Sequence, residues 1–133
     1  MNMNEEAREL LRDEVLPILL GNGVAAHRFA SRLSRRYGVA CLLCAEHRNL
    51  LDLLDLNTGF YRLSRQSERL CAEQLTDLSE LYSDRLLLLV PMSDADREWL
   101  CGRAELLETR FVCVEPSELE EAWLKILGVG GIS

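Results

Sequence analysis

Residues 17–45 read PILLGNGVAAHRFASRLSRRYGVACLLCA, and this stretch decides the fold class. A short apolar run, Pro17 to Leu20, meets the turn Gly21-Asn22-Gly23. From Val24 to Arg36 the period changes to that of a helix. Ala26, Phe29, Ala30, Leu33 and Tyr37 fall on one side, and Arg28, Arg32, Arg35 and Arg36 on the other. Gly38 stands where a helix ends in a left-handed residue, and Val39 to Ala45 is apolar again. Two strands separated by one helix run parallel, because the helix carries the chain back to the starting edge of the sheet. Pro17 is expected at the first strand position, where its missing N–H breaks no ladder bond.

The same alternation extends in both directions. Upstream, Asn4 can cap a helix over Glu5 to Asp13, with Ala7, Leu10 and Leu11 on one face. Downstream, His47 to Leu56 reads as a short helix carrying Leu50, Leu51, Leu53, Leu54 and Leu56. That many leucines so close together cover more than one helical face, so more than one surface has to dry them. Asn57-Thr58-Gly59 is a turn signal, and Phe60 to Leu63 with its Arg62 suits an edge strand. Ser67 can cap a helix whose stripe is Leu70, Cys71, Leu75, Leu78, Leu81 and Tyr82. Leu86 to Val90 is apolar on both faces, which places it centrally, and Pro91 is expected to stop it. Ser93 then caps a helix with Asp94 and Asp96 in its first turn, burying Trp99, Leu100, Leu106 and Leu107. Phe111 to Val114 is a fifth strand. Ser117-Glu118-Leu119-Glu120 reads as a capping box for a last helix with Leu119, Trp123, Ile126 and Leu127 inward. Residues 128–133 are expected to fray.

These elements sum to a single α/β domain over 1–133, doubly wound and Rossmann-like. Its five-stranded parallel sheet is expected in the order 3-2-1-4-5, with helices on both faces.

Composition narrows the function classes. The 133 residues carry a net charge of −7, which argues against nucleic acid or an anionic membrane surface as partner. No apolar run approaches the roughly 18 residues a membrane span needs, and the acidic N-terminus is unlike a secretory signal. Lys125 is the sole lysine, so no Gly-Lys-Ser/Thr phosphate loop can form. The five cysteines are an odd number, which fits free thiols in a cytoplasmic protein.

Gly21, Asn22, Gly23 and Ala26 match G-x-G-x-x-A between a strand and its helix. There the glycines permit a tight turn and close approach to a pyrophosphate, and the helix start offers N–H donors. Glu46, at the end of the second strand, sits where a carboxylate would accept ribose hydroxyls. NAD or ATP would be the ligand, although the turn wants glycines for geometry alone and no cofactor is expected. Cys41 and Cys44 look like a redox or metal pair, but at i and i+3 of a strand they point to opposite faces and can share neither a bond nor an ion. His27 and His47 both open helices after parallel strands, and no defined carboxylate or cysteine partner makes them a metal site. Asp94 and Asp96 are explained by the charge preference of a helix N-terminus. No catalytic and no metal-binding residue is assigned.

Two longer stretches, PILLGNGVAAHRFASRLSRRYGVACLL (17–43) and LLLLVPMSDADREWLCGRAELLETRFVCVEPSELEEAW (86–123), resemble the N-terminal, pre-ATP-grasp domain of carboxylate-amine ligase-type ATP-grasp proteins. The shared features are the glycine turn, the Tyr37-Gly38 helix end and the Pro91-Met92-Ser93-Asp94 segment. The resemblance implies that Gly21, Gly23, Ser93 and Asp94 line the edge of the sheet that faces substrate. The ATP-binding and catalytic parts of such ligases reside in domains that follow, so no catalytic role carries over. The expectation is a stand-alone, non-catalytic domain acting through a homodimer or through a separately encoded ATP-grasp subunit, with the leucine-rich helix at the contact. The alternative is a small nucleotide-binding protein using the glycine turn and Glu46.

Overall fold

The computed structural model describes residues 3–107 and 110–126. The elements in chain order are α1 (Met3–Glu14), β1 (Val15–Leu20), α2 (Val24–Tyr37), β2 (Cys41–Ala45), α3 (Leu50–Leu54) and β3 (Thr58–Arg62). They continue with α4 (Glu68–Leu81), β4 (Leu86–Pro91), α5 (Asp94–Cys101), α6 (Ala104–Leu107), β5 (Val112–Cys113) and α7 (Pro116–Ile126). All strands pair in parallel, in the order β3-β2-β1-β4-β5. The expected α/β class, strand order and helical layers are all present.

Strand alternation sorts the core into two layers. Leu19, Leu43 and Val90 face one side and pack with Leu11, Phe29, Leu33, Tyr37, Leu119 and Trp123 from α1, α2 and α7. Ile18, Leu20, Leu42 and Leu89 face the other and pack with Leu75, Leu78, Leu100 and Leu107 from α4, α5 and α6. β1 and β4 are buried on both faces, as a helix-covered central strand must be. Tyr37 and Trp123 lock α2 to α7 edge to face, with ring centroids 5.1 Å apart.

Several expectations shift by a residue or two, each for a physical reason. α1 already includes Met3, so Asn4 lies within the helix and is not its cap. Pro17 is the third residue of β1. It pairs with β4, but the ladder to β2 opens only at Ile18, so the missing donor falls where that side is still unpaired. Pro91 is the last residue of β4 and does not terminate the strand ahead of itself. Thr58 and Gly59 belong to β3, because the register Cys41↔Thr58 draws the expected turn into the sheet. Leu70 and Leu81 are exposed, outside the buried stripe of α4. The last helix opens at Pro116, with Glu118 reaching back 3.3 Å to the backbone N–H of Glu115. Proline at the first helical position fits that start, and Ser117 is therefore not the cap. Leu127 and the 128–133 tail lie outside the described residues.

Candidate functional site

The strand order reverses between β1 and β4, and in such sheets the crevice beyond the carboxyl ends at the reversal is where ligands sit. Gly21 forms its floor. With φ of 121° it occupies backbone space that L side chains avoid, and its N–H donates to the Cys44 carbonyl at 2.8 Å. A Cβ there would stand 3.7 Å from Asp96 Oδ2.

Asp96 is buried and fully engaged. Its Oδ2 accepts the Ser93 hydroxyl at 2.8 Å, and its Oδ1 meets the Arg65 guanidinium at 2.7 Å. The guanidinium lies over the Trp99 ring at 4.8 Å, and Arg103 lies against the same ring at 4.5 Å. The Glu46 carboxylate accepts the backbone N–H of Arg65 at 3.1 Å. Gly21, Cys44, Ala45, Glu46, Arg65 and Asp96 together line a cavity of about 300 Å³.

The residues of the glycine fingerprint part company here. Gly21 and Glu46 line the cavity. Asn22 is spent on structure: its amide donates to the His47 carbonyl and to Asp52 Oδ2, each at 2.7 Å, while its own carbonyl accepts from the Asn49 side chain at 2.7 Å. Gly23 is the N-cap of α2, with open space where a Cβ would be. Ala26 is buried in the helix-to-sheet core. Ser93 caps α5 and holds Asp96, whereas the Asp94 side chain is fully solvent-exposed and pairs with Arg97 at 2.8 Å. The Asp96 carboxylate therefore stands beside the first glycine of the turn, while the space at Gly23 is open.

A second constellation fixes α3. Asn49 and Asp52 form a reciprocal capping box, with Asp52 N–H donating to Asn49 Oδ1 at 3.0 Å and Asn49 N–H to Asp52 Oδ2 at 2.7 Å. From α2, His27 Nε2 meets Asp52 Oδ1 at 2.8 Å and Nδ1 meets Asp55 Oδ2 at 2.7 Å. Burial pushes the Asp52 carboxyl up, but the Asn49 N–H, the Asn22 amide and the His27 ring outweigh it and hold the group below the ordinary carboxylate range. His27 and His47 do not form a pair: His47 contributes its carbonyl to the network.

The helix so fixed buries the Asp52 side chain but none of its leucines. Leu50, Leu53 and Leu54 are 69%, 63% and 69% exposed, and Leu56 just beyond is 94% exposed. α3 packs on β3, where Arg48 lies over the Phe60 ring at 5.1 Å. The N-x-x-D spacing of Asn49 and Asp52 was a sequence signal for this helix start. The role of His27 had none.

Cys41 belongs to the core layer of α2 and Cys44 to that of α4, so the strand separates them as expected. Burial pushes both thiols up to about 12. Among the described residues, no group of three or more histidine, cysteine or acidic side chains could hold a metal ion, and no helix is long and apolar enough to cross a membrane.

Fold and crevice define an α/β domain with an all-parallel sheet whose switch-point cavity is lined by its own Arg65–Asp96 pair. No protein-family model, curated protein or solved structure matches the chain.

Proposed function

We propose that the domain works by association and not by catalysis, as a Rossmann-like, pre-ATP-grasp-like module that docks through α3. The observation that carries this reading is a helix whose four leucines are all exposed, yet which is pinned to the fold by its own almost fully buried carboxylate, Asp52. Exposed apolar surface of this kind marks interaction sites. The partner is either a second copy or a separately encoded ATP-grasp subunit. The internally paired cavity charges and the carboxylate beside Gly21 favour this reading over a nucleotide site.

Light scattering on wild type and on Leu53→Asp/Leu54→Asp tests it. The wild type should run heavier than one chain, alone or with a co-expressed ATP-grasp protein. The double variant should run as a single chain with unchanged circular dichroism, because neither leucine supports the core. A wild type that stays single at high micromolar concentration in both settings overturns the reading.

A further inference from the structure

We infer that the partner of the α3 face is a second copy of this chain, joined edge to edge through β3 across a two-fold axis centred on Phe60. The inference rests on reading α3 as a docking surface. β3 ends the sheet, so among the described residues one side of its backbone has no ladder partner. Its sequence, Thr58-Gly59-Phe60-Tyr61-Arg62, complements itself in antiparallel register. Centred on Phe60, that register sets Phe60 against the same residue of the second copy. Arg62 then falls opposite the other copy's Thr58, so no like charges face each other. Gly59 falls opposite the other copy's Tyr61.

A Cβ at Gly59 would stand 3.0 Å from Leu42 Cδ1, so Leu42 already covers this position and the strand keeps glycine there for closeness to its neighbour.

The two faces of β3 fit the same arrangement. Gly59 and Tyr61 pair with Leu42 and Cys44, whose side chains belong to the α4 layer. Phe60 pairs with Leu43, which faces the α2 layer, and α3 is held to α2 on that side by His27. Phe60 and the exposed leucines thus share one side of the sheet. Two-fold pairing of the edges brings the two α3 helices toward each other over the new seam. A foreign strand would satisfy the edge backbone but leave the leucines wet, whereas a second copy supplies both at once.

Charge swapping at the axis tests this, because a residue on a two-fold axis meets itself. Phe60→Asp alone and Phe60→Lys alone should each weaken self-association about tenfold or more. An equimolar mixture of the two should restore a dimer, seen by light scattering. In the wild type, hydrogen exchange of the β3 amides should slow as the protein is concentrated, a readout that needs no variant. A wild-type dimer indifferent to Phe60→Asp, or with β3 exchange independent of concentration, overturns the edge pairing while leaving the α3 docking face in place. A wild type that remains a single chain at high micromolar concentration also overturns it.

Discussion

Asp52 shows how much one residue organises here. Its two oxygens receive Asn22, Asn49 and His27, joining the glycine turn, the start of α3 and the body of α2. Replacing it with asparagine removes an anionic acceptor shared by three donors in a buried setting, and should cost about 2–3 kcal/mol at neutral pH. Because the Asp52 pKa is held below the ordinary carboxylate value, its stabilisation is complete above that value and fades as pH falls through the lowered one. The gap between wild-type and Asp52→Asn urea midpoints should therefore be smaller in acid below the ordinary carboxylate range than at neutral pH. A gap that stays constant with pH would show that the charge of Asp52 is not what matters. Little of this was legible in the sequence. His27 finds its carboxylates 25 and 28 residues away, a pairing that no local spacing announces. The helix was foreseen from its leucines, over His47 to Leu56; the local capping box of Asn49 and Asp52, which starts it only at Leu50, was the signal not read.

Elements were more legible, because period carries them. The switch from a period of two to one of 3.6 along residues 17–45 located β1, α2 and β2 to within two residues. The prolines were misplaced because their tolerance depends on where a neighbouring strand begins pairing, which is a tertiary fact. Gly38 closes α2 at φ of 69°, with its N–H on the Ser34 carbonyl. Nothing lies within 4 Å of a Cβ there, so Gly38→Ala meets only backbone strain. It should lose about 1–2 kcal/mol, seen as a lower thermal midpoint. Strand alternation makes a second prediction. In the native state a thiol reagent should reach Cys101 and Cys113 quickly and should reach Cys41, Cys44 and Cys71 only on unfolding. Rapid native labelling of Cys44, or zinc lost on Cys44→Ser, would contradict the strand that separates it from Cys41.

At the scale of the molecule, strand order follows from handedness once five strands and their connecting helices are recognised, and it was read correctly. What lies over the reversal point could not be read the same way. Arg65 follows β3 and Asp96 sits in α5, and the ion pair that brings them together exists only because those elements flank one crevice. That pairing decides a prediction about ligands. A nucleotide bound at 100 times its dissociation constant would add about 2.7 kcal/mol and several degrees to the melting temperature. With Asp96 beside the first glycine of the turn, NAD and ATP at millimolar concentration should leave the midpoint unmoved. A reproducible rise that disappears on Glu46→Ala would restore the nucleotide reading.

The two rims of the sheet are unequal. β3 runs for five residues, whereas β5 has only two, and the helix α7 opens directly after it. A sheet with two long rims can recruit neighbours without end, which is the route to filaments. Here a strand added at β3 finds no matching template on the opposite side of the molecule. Growth by edge pairing would stop after one step, and a protein with so much leucine in the open would escape polymerisation through the shortness of its fifth strand.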